Sequence, residues 1–416
     1  MPFLRSIFAP SEKRSASRLP ALTGGGTSAA VNVTPESSLQ VITVYACVRI
    51  VSEAIAALPT GIFKRTPGYR TRVEGHKLAD LLLKQPNPQI DSGEFWRTIV
   101  GWMMLRGNGY AYVQRNGAGR PVALWPVSPT SVTVLTDSKT GKLLYRIEHD
   151  TSKEFVPVER GTVVSSENML HYRAFGLGVE GLSPIAMARQ QVGTNWASTD
   201  YIGKFFANDA SPGGVLQTQG ALTDDQFDRL QESWNDAHRG TNNSHKAAIL
   251  EGGVTWQQTT LSPADAQFLA IYRLSQTDIA TGVFGVPAHK VGNLERATFS
   301  NIEQQSQDFI TDALAHWLVR LERVTSALLG ADEYLRFNLS GLLRGDTAAR
   351  NAAYVQGRQW GWLSANDIRR SEDLDPIDDG DTYLQPLNMV PAGSYPEPAS
   401  ATPAIEPAKP AEEPPQ

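Results

Sequence analysis

Gly176, Gly178 and Gly181 form a pattern with the spacing of a known cofactor site. A GxGxxG turn cradles a dinucleotide when a buried strand precedes it, a helix follows, and a second strand about 20 residues on ends in an acid. Here the preceding run, Ser165 to Phe175, is not continuously apolar. Asp200, at the right distance, falls inside the helix that follows. The segment therefore reads as a flexible loop before a helix, with a dinucleotide-binding enzyme kept as an alternative. Other chemistry-bearing residues converge even less. The seven histidines show no metal-ligand spacing, and the one cysteine, Cys47, can form neither an intrachain disulfide nor a thiolate cluster. Asp373, Asp375, Asp378, Asp379 and Asp381 fail the calcium-loop spacing, because Pro386 stands at the closing position. No GxxxxGK[ST], GxSxG or HExxH occurs. The expectation is an architectural chain with no cofactor, no metal and no enzymatic activity.

The composition agrees. The 416 residues allow two or three domains, and 41% hydrophobic with 19% charged residues describes a chain that folds over most of its length. A net charge of −5 excludes a strongly basic nucleic-acid binder but leaves room for weak, sliding contact. Met1 to Ala9 lacks an apolar core of signal-peptide length, and Val41 to Val48 is too short to span a bilayer. We expect a soluble protein of a reducing compartment, with no membrane partner.

Several elements can be placed from periodicity and punctuation. Residues 1–33 read as a flexible basic arm. A helix is predicted over 39–58, capped by Ser37 and Gln40, burying Val41, Val44, Tyr45, Val48, Val51, Ile55 and Leu58. A second is predicted over 76–84, and a third from Asp91 to Gly107. From Tyr110 the period becomes two, with Asn116-Gly117 marking a hairpin and Gly141 and Gly161 marking turns, so 34–175 reads as an α+β unit with an antiparallel sheet. One long helix is predicted over 183–207. A compact insert follows over 208–262, with a strand at 215–219, a helix capped by Thr223 and Gln226, and short strands at 247–250 and 254–260. A helix at 263–284, a loop at 287–299, a helix at 301–329 with a polar start and an apolar remainder, and helical character at 347–374 complete the folded part. Eight prolines between Pro391 and Gln416 predict a disordered tail.

The order of motifs resembles the portal, or head–tail connector, proteins of tailed phages, in the Hong Kong-97-type branch. The resemblance covers about 36–390. It rests on Leu81-Leu82, Pro86-Asn87-Pro88 and Phe95; on Gly107-Asn108-Gly109-Tyr110-Ala111 and Leu124-Trp125-Pro126; and on Gly181-Leu182-Ser183-Pro184. Further along come Phe205-Phe206, Pro212-Gly213-Gly214, Ile279-Ala280, Phe284-Gly285-Val286-Pro287, and Ser364 to Arg369 before Pro376 and Gly380-Asp381. Asp367 departs from the pattern, where glutamate is expected, and the proline-rich tail looks like an extension.

The resemblance implies an α+β portal-like fold that assembles into a ring, usually dodecameric. Residues 34–182 would be the wing, 183–207 and 263–284 the stem helices, 208–262 the clip, 285–299 the tunnel loop, 300–344 the wing and tunnel helix region, and 345–390 a helical crown. It implies a channel for double-stranded DNA, independent of sequence, during packaging and ejection. The implied partners are further copies of the chain, the terminase large subunit, major capsid or scaffold proteins and a head–tail adaptor. The implied location is the capsid portal vertex, with host cytoplasm during assembly. His289, Lys290, Asn293 and Arg296 would be the tunnel-loop contacts to DNA. Gln304 and Gln305 would line the channel at the helix start, and Trp234, His238 and Arg239 would dock terminase or adaptor at the clip. Lys290 and Arg296 against Glu295 leave +1 per copy, a light touch suited to moving DNA. The alternative is that these cations pair with a neighbouring subunit's acids. A neck or adaptor ring is the second functional alternative.

Overall fold

A computed structural model of the chain describes residues 13–14, 26–67, 69–151, 155–207, 215–218, 220, 222–238, 255–257, 272–292, 308–339, 347–372 and 374–384. The chain divides into two compact units, Met1–Leu342 and Leu343–Gln416. Among the described residues no helix is long and apolar enough to cross a membrane.

Among the described residues, the first unit packs its helices against antiparallel sheets. Helix α1, Ile42–Ala56, buries Val44, Cys47, Val48, Val51 and Ile55. It begins later than its periodicity suggests, and the Ser37–Gln40 capping box does not form. Ser37 instead closes a reciprocal pair one turn earlier: its Oγ accepts from Thr34 N at 2.9 Å, while Thr34 Oγ1 accepts from Ser37 N at 3.1 Å. That pair leads into a 3-10 turn, Ser37–Gln40, and Val41 enters α1 from extended backbone. Tyr45, expected in the core, is 49% exposed because it lies on the outer flank of the helix. Helix α2, Ser92–Arg106, follows expectation. Asp91 accepts from Glu94 N at 2.8 Å, and Gly107 ends the helix at φ 79°, where a Cβ would be strained.

The expected helix at 76–84 shrinks to one π turn, Asp80–Lys84. His76 Nδ1 accepts from Leu78 N, and its Nε2 lies 3.3 Å from Glu333, which keeps the chain out of helix until beyond it. The helix expected over 183–207 is two, α3 (Pro184–Met187) and α4 (Arg189–Ala207), separated at Ala188 with ψ 15°. Ser183 Oγ donates to Leu105 O at 2.6 Å and accepts from Ala186 N, so the first turn is tied to α2's end.

The strands are β1 (Lys13–Arg14), β2 (Thr60–Thr66), β3 (Tyr69–Arg72), β4 (Asn108–Arg115), β5 (Pro121–Val127), β6 (Val132–Thr136), β7 (Leu143–Ile147), β8 (Thr162–Ser165), β9 (Met169–Arg173), β10 (Val215–Gln217), β11 (Thr255–Gln257) and β12 (Glu333–Phe337). They make sheets β12-β2-β3, β5-β4-β9 and β1-β6-β7-β8, plus the pair β10-β11, all antiparallel. The basic arm is not wholly loose: β1 pairs with β6, Val33 is buried, and Ser28 bonds to Gln190. In the insert, β11 pairs with β10, and the stretch at 247–250 lies outside the described residues.

Two cores hold this unit together. The larger joins α1, α2, Ile62, Leu335 and Phe337 of one sheet, and Trp317, Leu318 and Leu321 of helix α6, Ala315–Ser326. The smaller lies between the other two large sheets, around Tyr110, Trp125, Val134, Tyr145 and Ile147. The second unit contains helices α7, Thr347–Gln359, and α8, Ala365–Ser371, interrupted at Gly361 by a φ of 74°. The proline-rich tail lies outside the described residues.

Candidate nucleic-acid interface

The expected tunnel loop grows from a well-anchored base. Residues 272–277 are helical and pass into a π turn, Asp278–Val283. Ile279, Ala280, Phe284 and Val286 are buried in the larger core, against which apolar burial fixes the turn. Gly285 takes φ 66°, and Val286 N donates to Ala280 O at 2.8 Å, which reverses the chain into Pro287. A 3-10 turn, Ala288–Val291, then carries His289 and Lys290 and ends at Gly292, φ 93°.

Lys290 does not simply point into solvent. Its Nζ lies 5.2 Å from the Phe309 ring centroid, at the start of the π turn Phe309–Leu314 that leads into α6. Both ring nitrogens of His289 are shielded from solvent without a hydrogen-bond partner among the described residues. Asn293, Arg296, Gln304 and Gln305 lie outside the described residues. Trp234 and His238 lie in the last part of helix α5, Asp224–His238, and Arg239 lies outside the described residues. Of the expected DNA contacts, His289 and Lys290 are the ones that fall among the described residues, side by side on one turn. Among the described residues no cluster of His, Cys, Asp or Glu could hold a metal ion.

The motifs that carried the resemblance turn out to be partners of one another. Asn108 Oδ1 accepts from Gly181 N at 2.7 Å, and its Nδ2 donates to Gly181 O at 2.9 Å. The same Oδ1 accepts from His171 Nε2 at 2.9 Å, so His171 Nδ1 is free to accept from Tyr145 OH at 3.3 Å. Burial pushes the His171 pKa down to about 3 and keeps the ring neutral. Tyr110 stacks on that ring, 4.5 Å between centroids. Ala174 N donates to Gly107 O, and a Cβ on Gly181 would collide with that same oxygen. A Cβ on Gly176 would stand 2.5 Å from Glu180 O. Two of the GxGxxG glycines are thus used for close backbone approach.

The same logic recurs elsewhere. Asn87, between Pro86 and Pro88, donates to Leu124 O at 2.8 Å, and Leu124 N returns a bond to Pro86 O. In the second unit Asn366 N donates to Gly380 O, and its side chain bonds Ile377 N and O. Asp367, the departure from the expected glutamate, completes a capping box. Its Oδ2 accepts from Ser364 N at 2.9 Å, and Ser364 Oγ accepts from Asp367 N at 3.0 Å. These pairings were missed because the sequence marks each glycine–asparagine motif without naming its partner. An asparagine flanked by glycine or proline was the available signal.

An antiparallel α+β body with these latches, a small strand–helix insert and a glycine-reversed loop before α6 has the fold class of portal-type subunits. A family model described as "Phage portal protein" matches residues 42–373. The "Probable portal protein" of Streptomyces phage phiC31 is 32% identical over 88% of this chain and 82% of its own length. The "Portal protein" of Enterobacteria phage HK97 is 31% identical over 86% and 85%. A solved chain from "Neck of native GTA particle computed with C12 symmetry" superposes with a TM-score of 0.55 at 20% identity, covering 86% of this chain and 98% of that one. The chain belongs to the phage portal protein family.

Proposed function

We propose that copies of this chain close into a ring at the capsid vertex and form the channel through which double-stranded DNA enters and leaves the head. The family match over residues 42–373 carries this reading. A head-to-tail contact that closes is required, and the C12 symmetry of the similar neck structure supports twelve copies. The channel must pass any sequence, so it touches phosphates and not base edges. Lys290, Asn293 and Arg296 supply that contact, with Gln304 and Gln305 beyond them, whereas the shielded ring nitrogens of His289, expected among the contacts, cannot reach a phosphate from where they stand. The cation–aromatic seat of Lys290 on Phe309 holds one charge near its helix, which favours glancing contact over a grip. Trp234, His238 and Arg239 are the docking residues for the terminase large subunit, which supplies ATP hydrolysis, and later for the head–tail adaptor. Capsid or scaffold proteins surround the wing, assembly takes place in host cytoplasm, and the finished ring resides in the virion. The GxGxxG segment is not read as a cofactor turn, since Gly176 and Gly181 are committed to backbone crossings. Reversing charge at Lys290→Glu and Arg296→Glu should lower packaging and DNA retention while rings still form. Unchanged packaging and retention would remove the loop from the mechanism.

A further inference from the structure

The sheet β12-β2-β3 has one face in the core and one face of arginines. Ile62, Leu335 and Phe337 are buried. Residues directly opposite in an antiparallel pair share a face, as do alternate residues along a strand. The pairings Phe63↔Tyr334, Phe63↔Arg72, Arg65↔Arg70 and Gly61↔Arg336 therefore place four arginines and two aromatics on the other face. All four arginines are exposed. No carboxylate occupies a paired strand position on this face, and among the described residues none of the four makes an ion pair. Acids approach only one edge of the face: Arg336 is within electrostatic influence of Glu322 on α6, and Arg65 borders a groove shared with Glu322, Asp332 and Glu333. Arg65 directly opposite Arg70 is a like-charge pair, which costs stability. In a chain of net charge −5, so local an excess of cations calls for an anionic partner.

The aromatics set the chemistry. Phe63 and Tyr334 stack with centroids 6.0 Å apart. Arg65 Cζ lies 5.6 Å from the Tyr334 centroid, and Arg70 Cζ 5.9 Å from that of Phe63. A Cβ at Gly61 would touch the Phe63 ring at 3.0 Å, so glycine there lets the ring lie down on the sheet. The guanidiniums of Arg65 and Arg70 are thereby held over rings, with less conformational freedom to lose on binding. Protein partners ordinarily need an apolar centre to an interface. Here each ring already has a guanidinium near its face, and what faces outward is four exposed N–H forks, two of them held by the rings, the geometry that recognises phosphate oxygens.

We propose that this face binds the phosphate backbone of duplex DNA, without sequence preference, as a contact separate from the tunnel loop. The source of the phosphates as DNA rests on the portal reading. The test titrates a short fluorescent duplex of mixed sequence against the full-length protein over a range of salt. It compares the wild type, the quadruple variant Arg65→Ala, Arg70→Ala, Arg72→Ala, Arg336→Ala, the double variant Arg65→Ala, Arg70→Ala, and Lys290→Ala. Each arginine that neutralises a phosphate should remove about 0.9 from the log–log salt slope, so the quadruple variant should be shallower by up to about 3.6 and bind at least tenfold more weakly at low salt. The double variant, which leaves most of the sheet intact, gives the same reading at half the size should the quadruple one not fold. An unchanged slope overturns the proposal, as does a loss seen only with Lys290→Ala. Polyglutamate binding at the arginines with no duplex binding also overturns it, in favour of an acidic protein. Imaging the same samples separates the two readings. Rings without face-dependent binding contradict this inference alone, and face-dependent binding without rings contradicts only the ring.

Discussion

Asn108 grips Gly181 by both atoms of that residue's peptide polarity: Oδ1 takes the Gly181 N–H at 2.7 Å, and Nδ2 gives to the Gly181 carbonyl at 2.9 Å. The bond ties the end of α2 and the start of β4 to the segment that opens α3. Both sides are half-buried or better, so water is a poor substitute for either bond.

Replacing Asn108 with alanine should therefore be costly. It strands the Gly181 N–H and C=O and the His171 Nε2–H, at roughly 1–3 kcal/mol for a fully buried group, so a loss of about 3 kcal/mol is expected. The urea midpoint reads this directly. A loss under about 1 kcal/mol would show that the latch is ornamental.

The glycines predict a contrast. Gly181→Ala drives a methyl group into Gly107 O, and Gly176→Ala meets Glu180 O, whereas Gly117 has nothing within 4 Å of its Cβ position. Gly181→Ala and Gly176→Ala should reduce soluble yield and lower the melting temperature by several degrees, and Gly117→Ala should match the wild type. Equal behaviour of all three would contradict the crossing.

His171 makes stability depend on pH. Its folded pKa, about 3, is below the unfolded value of about 6.5, so as pH falls through that window only the unfolded chain takes the proton. Stability from this group is complete above about pH 6.5 and declines below it, at up to about 1.4 kcal/mol per pH unit. His171→Gln should flatten that part of the urea-midpoint profile; a profile equally steep without the imidazole would assign the slope to other groups.

Tyr172→Phe offers a small, clean effect. Thr325 Oγ1 already donates to Leu321 O at 2.8 Å, so it is Tyr172 OH that donates to Thr325 at 3.0 Å. Removing the hydroxyl strands no donor, and about 1 kcal/mol should be lost, with near-native packing of the ring against Trp96.

Much of this body was legible from residues alone. Helix α2 announced both ends, through Asp91 with Glu94 and through Gly107, because those signals are local. Asn116-Gly117 likewise marked the hairpin between β4 and β5. What was not legible depends on partners far along the chain. His76 and Glu333 are separated by more than 250 residues, and their contact shortens an expected helix. Ser183 finds Leu105 O and splits another. The GxGxxG spacing looked like chemistry, because close backbone approach to a phosphate and to another peptide demand the same residue. On the site itself, sequence periodicity located the loop, but not the seat of Lys290 on Phe309.

Asp367 gives a further check on that reading of motifs. Its capping box with Ser364 explains how aspartate serves where glutamate was expected. Asp367→Glu should be nearly neutral, whereas Asp367→Ala should cost about 1 kcal/mol, measured as unfolding of the second unit's helices by circular dichroism.

The central claim is a closed ring, and negative-stain electron microscopy of the purified full-length protein, at concentrations high enough to assemble, tests it most directly. Rings with a central hole are the expected result. Compact monomers or dimers without a hole, at every concentration, would contradict it.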